Sequence, residues 1–282
     1  MMVEIYVSWC RGLPKDKEAL EIIRGSGLID GIETSEILDI DEIKESGVKT
    51  SIHRPFRWEE FNLEDDNIPE NNKEEISKYN ESDASVLGFH LIDYKKENNR
   101  NNVDIVKNFK NNLKKLENMF DKKIVFELQP YDSHIIETRK ENAEYFTDKE
   151  IVKELIQSSN SGILLDMSHT YVSGMNKIQK GLYKGDIKEY FKEILDVSKD
   201  KIWQLHVNVP EKTNKEYVDT HNTFEDNPTS EEIIELLEYV LEECKNLELI
   251  TLEVYTNLSP IEHAKKTVEQ IEKLNKILNL KK

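Results

Sequence analysis

Short apolar runs in this chain end, one after another, in histidine, aspartate or glutamate. Ser51-Ile52-His53 closes one run, Gly88-Phe89-His90 the next and Val125-Phe126-Glu127 a third. Leu164-Leu165-Asp166 closes a fourth, with His169 three residues on. Gln204-Leu205-His206 closes a fifth, Asp219-Thr220-His221 lies in the connection after it, and Thr251-Leu252-Glu253 closes a last run. The set holds five imidazoles, four carboxylates and no thiolate. Crowded into one volume these groups would be costly, because carboxylates repel and burial of an unpaired charge costs about several kcal/mol per group. Divalent metals supply the compensation. Nine ligands exceed the needs of one metal, so two or three ions are expected, with carboxylates such as Glu127 bridging them. Nitrogen and oxygen ligands suit zinc, iron or manganese alike, so ligand type does not choose the metal. A lone histidine is ordinarily a surface or hydrogen-bonded residue, but five of the seven in the chain fall in this pattern. Of the other two, His263 sits early in a helical pattern and reads as structural. His134 follows the Glu127 run and is a candidate substrate or proton-transfer group.

The elements that must position these groups alternate. Eight runs rich in Val, Ile, Leu or Phe read as buried strands: Val3–Ser8, Asp30–Ser35, Val48–His53, Ser85–His90, Lys123–Leu128, Gly162–Asp166, Lys201–Val207 and Glu248–Val254. Helical patterns fall between them at Lys15–Arg24, Val103–Phe120, Asp148–Ser158, Ile187–Val197, Ser230–Cys244 and Ile261–Leu278, with a short one at Lys73–Tyr79. Thr229 reads as a helix cap before acids in the first turn, and Pro260 as a first helical residue. Strands alternating with helices imply parallel units, and eight close a (β/α)8 TIM barrel, whose strand ends all converge on one face. An open doubly wound sheet with fewer true strands is the competing architecture. The sequence shows no short repeat and no break in composition, so one barrel domain over residues 1–282 is expected.

The 282 residues carry a net charge of −17, with 33 lysines and only 6 arginines, which argues against a surface that binds nucleic acid by bulk electrostatics. The residues after His53 are acidic (Glu59, Glu60, Glu64, Asp65, Asp66, Glu70). Arg54 and Arg57 are the clear cations beside a ligand, suited to a peptide carboxylate or a phosphate, or else to ion pairs with that acidic stretch. Cys10 and Cys244 cannot build a disulfide framework and read as small buried residues. No apolar run reaches the roughly 18 residues that span a bilayer, and no signal peptide is visible, so a cytoplasmic protein with no membrane contact is expected.

The ligand order resembles that of the xylose-isomerase-like TIM barrels with a multinuclear metal site. The TIM-barrel apurinic/apyrimidinic endonucleases run His, His, Glu, Asp-x-x-His, His, Asp-x-His, Glu, which this chain matches from His53 to Glu253. The chain departs from them at Thr220, where arginine is usual, at Asn222-Thr-Phe-Glu-Asp, and at Val207-Asn-Val-Pro. The segments Asp30-Gly-Ile-Glu, Gly162-Ile-Leu-Leu-Asp-Met-Ser-His-Thr-Tyr-Val-Ser-Gly, Asp219-Thr-His and Ile250-Thr-Leu-Glu are similar to a second branch, the multinuclear non-heme iron-dependent oxidative enzymes, which modify ribosomal peptides, often at cysteine. That resemblance implies iron and dioxygen, a peptide substrate and often a separate recognition protein. The endonuclease reading implies zinc or manganese, phosphodiester hydrolysis and a nucleic-acid partner. Sugar isomerases and epimerases, a third branch, need fewer ligands.

On the leading reading His53, His90, Glu127, Asp166, His169, His206, Asp219, His221 and Glu253 hold metal, and Glu127, Asp166, His206 and Glu253 are the candidate catalytic residues. Arg54, Arg57, His134 and Asn208 are candidate substrate contacts. Ser168, Asn208, Tyr131 and Gln129 are candidates to orient the imidazoles. Trp9 and Trp58 are placed to line a substrate groove, and Trp203, in mid-strand, to pack.

Overall fold

A computed structural model describes residues 3–8, 17–35, 47–53, 73–91, 102–132, 147–225 and 227–279. Strands β1 (Glu4–Ser8), β2 (Gly31–Thr34), β3 (Lys49–His53), β4 (Val86–His90), β5 (Lys123–Glu127), β6 (Gly162–Asp166), β7 (Ile202–Val207) and β10 (Leu249–Leu252) pair in parallel around a closed ring in the order β1-β10-β7-β6-β5-β4-β3-β2. All eight coincide with the runs expected from sequence. Their side chains are covered on both faces, as in β6, where all five residues are buried, which is why each run is apolar rather than alternating.

Alternation is nevertheless what builds the site. Side chains two apart point to the same face of a strand. Tyr6, Val86, Val125, Leu164 and Leu249 fill the barrel interior with Trp203 against them. Two residues on from Val125 and Leu164 stand Glu127 and Asp166, so the interior changes from apolar to ionisable along each strand. The other face of each strand joins the larger cluster beneath the helices.

Trp203 enters the interior through a register shift: Ile163 pairs with Ile202 and Leu164 with Gln204, leaving Trp203 as the extra residue. The shift also turns Gln204 inward. The Trp203 ring closes the amino-terminal end of the barrel, with Lys201 Nζ 5.5 Å and Lys123 Nζ 5.8 Å from its centroid. Glycine is required beside it, because a Cβ on Gly162 would overlap the indole, as one on Gly31 would overlap the Tyr6 ring.

Helices α1 (Lys17–Gly25), α2 (Lys73–Glu81), α3 (Asn102–Met119), α4 (Lys149–Ser158), α6 (Ile187–Ser198), α7 (Ser230–Glu243) and α8 (Pro260–Asn279) fall on the expected helical patterns. Between α4 and α6 stands α5 (Met167–Gln179), which no pattern announced. After β7 comes a hairpin, β8 (Val209–Lys212) with β9 (Tyr217–Asn222), also unannounced. Thr229 is a correction. Its side chain makes no capping bond to α7; the hydroxyl donates instead to Pro210 O at 2.8 Å and bonds Asn227 at 2.7 Å, tying the helix start to the hairpin. Cys244 is buried and free, its thiol pushed up to about 12 by burial, whereas Cys10 lies outside the described residues. No helix among the described residues is long and apolar enough to cross a membrane.

Gly162→Ala is expected to lower unfolding stability by about 1–3 kcal/mol, the usual cost of overpacking a closed core. Urea unfolding of the metal-free protein measures it; a midpoint equal to that of the parent would contradict the packing described for Trp203.

Candidate metal centre

The ligand positions arise from simple local geometry. His53, His90, Glu127 and Asp166 are the last residues of β3, β4, β5 and β6, His206 is the penultimate residue of β7, and Glu253 follows β10. Register places His90 beside Glu127 and Asp166 beside His206 on neighbouring strands. The Asp-x-x-His spacing is a helix start: Asp166 caps α5, its Oδ1 accepting the His169 backbone N–H at 2.7 Å. Helical side chains lean toward the amino terminus, which brings the His169 ring back over the cap. Asp219 and His221 stand two apart on β9 and so share a face, with Asp219 Oδ2 3.2 Å from His221 Nδ1. The fully buried Asn176 of α5 holds that strand, accepting from Tyr217 N at 2.9 Å and donating to Tyr217 O at 2.8 Å.

Three overlapping groups of the expected ligands result: His53, His90 and Glu127; Glu127, Asp166 and His206; and Asp166, His169 and His221; a fourth joins His53 and His206 to Glu33. In the first, His90 Nε2 lies 2.6 Å and His53 Nε2 3.1 Å from Glu127 Oε2, and the two nitrogens are 2.7 Å apart. In the second, His206 Nδ1 is 3.7 Å from Glu127 and 3.8 Å from Asp166, with Glu253 at 2.9 Å. In the third, His169 Nε2 is 3.2 Å from Asp219, and His221 Nε2 is 3.4 Å from Glu253. Glu127 and Asp166 each belong to two groups. His206 and Glu127 are sealed, while the side chains of His90, Asp219 and His221 retain 10–13% exposure and form the rim.

Electrostatics tests whether cations fit. Burial raises the Asp166 carboxyl to about 6, with His169 opposing and Asp219 and Glu127 adding to the rise. Burial also works against ionised Glu127, yet His90, His169 and His53 together hold it well below the usual range. Burial would lower His221, but Asp219 and Glu253 overcome that and raise it to about 9; His169 and His206 are raised for the same reason by their carboxylates. The metal-free site thus holds protons where it lacks other cations. Glu127 Oε1 and His206 Nδ1 are buried without a hydrogen bond. Orphaned lone pairs, shared carboxylates and facing imidazole nitrogens fit a polynuclear centre of hard or borderline metals.

All nine proposed ligands are therefore gathered at the carboxyl end of the barrel. Ser168 Oγ donates to Asp219 Oδ1 at 2.8 Å and Asn208 Nδ2 to Asp166 Oδ2 at 3.0 Å, so both steady proposed ligands. Asn208 is fully buried, behind Asp166. Gln129 is buried beside His169 in a small cavity, and the Tyr131 ring lies under Lys180 Nζ, 4.6 Å away. His263 is buried apart from the centre and bonded to Thr256 at 2.7 Å. Arg54, Arg57, His134, Trp9 and Trp58 lie outside the described residues. Two contacts escaped the sequence reading. Tyr255 stacks on His221, ring centroids 4.5 Å apart, and its hydroxyl donates to Glu253. Glu33 on β2, 1% exposed, lies beneath His206 and His53. Gly31-Ile32-Glu33 ends its apolar run just as Val125-Phe126-Glu127 does, so the same rule flags it.

His221 is also the one non-glycine residue with positive φ (52°) among the described residues. A left-handed backbone is uncommon for a residue with a side chain, and here it falls on a proposed ligand.

A closed eight-stranded barrel with several candidate metal-ligand groups at its carboxyl face defines a metalloenzyme of the xylose-isomerase-like TIM-barrel class. Solved structures share the fold. A D-tagatose 3-epimerase-like protein is 16% identical (TM-score 0.62; 96% of this chain and 98% of that one). Endonuclease IV from Thermus thermophilus is 11% identical (TM-score 0.57; 96% and 99%). A xylose isomerase-like TIM barrel protein from Mycobacterium smegmatis, in complex with magnesium, is 11% identical (TM-score 0.58; 99% and 100%). Comparison with curated proteins gives no match. The sequence profile of the RiPP precursor modification enzymes MbnB/TglH/ChrH matches residues 101–276, and the chain belongs to that family. Its activity is therefore modification of a ribosomally synthesised peptide precursor.

Metal ligation needs a neutral imidazole, whereas His221 of the metal-free protein stays protonated up to about pH 9. The stability that the protonated ring contributes is complete below its unfolded value of about 6.5 and is lost as pH rises through about 9. Metal affinity is expected to move the opposite way, climbing about tenfold per pH unit for each proton displaced. Chelator competition from pH 6 to 9 reads this out; a flat profile would contradict it.

Proposed function

We propose that the chain carries out an iron- and dioxygen-dependent oxidative modification of a peptide precursor at a centre of two or three iron ions held by the nine ligands. The observation that carries this reading is the sharing of Glu127 and Asp166 between ligand groups, which a single ion would not require. Iron held there would supply redox chemistry toward dioxygen and open coordination positions for a peptide donor. Zinc or manganese in the same ligands is the alternative, and would favour hydrolysis.

The protein's own side chains do the rest. Glu127, Asp166, His206 and Glu253 form the sealed floor, where water is excluded and electrostatic interactions are strong. His90, Asp219 and His221 form the rim that a peptide would reach first. The Tyr255 hydroxyl, donating to Glu253 at that rim, is placed to hold or pass a proton. Arg54, Arg57 and His134, close in sequence to His53 and Glu127, are the proposed contacts to the peptide. A basic leader peptide or a separate recognition protein would suit the acidic surface of a chain with net charge −17. The reading further takes residues 1–282 as one barrel domain working in the cytoplasm.

The test is anaerobic purification from iron-supplemented cells, elemental mass spectrometry and Mössbauer spectra of an iron-57 sample, then turnover of a cysteine-bearing precursor peptide under oxygen. About two or three irons per chain with a magnetically interacting signal is expected. Zinc or manganese alone, with iron rejected, would overturn it. Asp166→Ala and His206→Ala are expected to lose metal and turnover while circular dichroism stays that of the folded barrel. Asp166→Ala should cost a further ~1 kcal/mol through the lost α5 cap. Full metal content in both variants would sink the ligand assignment.

A further inference from the structure

We propose that Glu33 is a positioning residue: a carboxylate beneath the centre that orients two ligand imidazoles, His206 and His53, and fixes which nitrogen of each is free to bind metal. The proposal rests on the nine-ligand reading above and adds a group that reading does not use.

Glu33 is the penultimate residue of β2 and is 1% exposed. Its Oε1 lies 2.9 Å from His206 Nε2 and 3.8 Å from His53 Nδ1, facing both rings while itself buried without a formed hydrogen bond. The opposite nitrogens of both rings face the ligand cluster. His206 Nδ1 has Glu253, Glu127 and Asp166 at 2.9, 3.7 and 3.8 Å, and His53 Nε2 has Glu127 and His90 at 3.1 and 2.7 Å. Each ring thus stands between Glu33 on one side and the shared ligands on the other. A neutral imidazole has one N–H and one lone pair. A carboxylate that takes the N–H side leaves the lone pair aimed at the cluster, raises the basicity of the ring and locks its orientation. His169 has the same arrangement with an uncharged partner, its Nδ1 3.0 Å from Leu128 O. The two most buried of the proposed ligand histidines share a carboxyl group instead.

Glu33 is itself held. Its Oε2 accepts from Gln204 Nε2 at 2.5 Å and from Ser51 Oγ at 3.4 Å, and the same amide donates to Thr251 Oγ1 at 3.1 Å. The Gln204 amide also stands 3.5 Å from His206 Nε2. This argues against a fourth ion among Glu33, His53 and His206, although their spacing alone would allow one. Amide hydrogens of Gln204 occupy that volume.

The probe is cobalt(II) added to the metal-free protein, followed by visible ligand-field absorption and by stoichiometry, with no turnover needed. Glu33→Gln should bind the parent number of cobalt ions with affinity lower by about 10–100-fold and with shifted ligand-field bands. One ion fewer at saturation would overturn the proposal by making Glu33 a ligand. Unchanged affinity and spectrum would overturn it by making Glu33 a buried filler. If Glu33→Gln does not fold, Gln204→Met, which frees the Glu33 carboxylate, takes its place: a shifted spectrum at parent stoichiometry supports the proposal and an unshifted one overturns it. Asp166→Ala runs alongside. Should it keep full cobalt content, the nine-ligand reading fails, whatever Glu33 does.

Discussion

Five carboxylates, from Glu33, Glu127, Asp166, Asp219 and Glu253, share one nearly water-free volume at the end of the barrel. In such surroundings like charges repel strongly and each uncompensated ion costs several kcal/mol, on the order of a domain's whole stability when summed. Compensation must come from positive charge. In the metal-free protein it comes as protons on imidazoles, which is why His169, His206 and His221 are raised. Metal ions and protons therefore compete for the same role. The compensation is uneven, since Glu253 is held well below its usual range while Asp166 is pushed up to about 6. Asp166 is the carboxylate that histidines alone serve worst.

The scaffold meets this demand with two kinds of support. Strand ends bring residues distant in sequence to one rim, at positions fixed by the pairing register. The rest of the set hangs on α5 and the β8–β9 hairpin. The helix offers Asp166 at its cap, His169 a turn later and Asn176 beyond, whose amide grips Tyr217 and so stations Asp219 and His221. Below lies a dry plug of Tyr6, Leu164, Trp203 and their neighbours, which gives the polar layer a rigid floor. Surface pairs such as Lys149 with Glu193 or Lys188 with Glu235 are exposed and add little to stability.

Much of this is legible in sequence because burial on both faces leaves a strand as a bare apolar word ending in a polar letter. The eight runs give the barrel, and the polar residues at or near six of their ends give most of the proposed ligands. What is hidden has physical reasons. Helix α5, Met167 to Gln179, is buried nearly all round, so it has no polar stripe, and Thr170, Val172 and Gly174 lower its helix propensity. Gly174 is there because a Cβ would meet Ile187 and Tyr190. The hairpin turns through Thr213-Asn214-Lys215-Glu216 without glycine, so no turn signature marks it. Thr229 has the composition of a cap, but its hydroxyl is drawn to Pro210. Glu33 was hidden by nothing; its run ends as the others do. The family follows from residues 101–276, which include every ligand from Glu127 onward.

The double duty of Asp166 bears on how such a site can be altered, by evolution or by design. One oxygen caps α5 through the His169 backbone, and the other takes the Asn208 amide and faces His206. Replacing it with histidine or cysteine to court a softer metal would also remove a cap, and the loosened turn is the one that carries His169. Positions such as His90 and His221 on the rim carry no such burden from a helix start. Retuning toward another metal therefore has its freest variables at the rim and its most constrained one at the junction of β6 and α5.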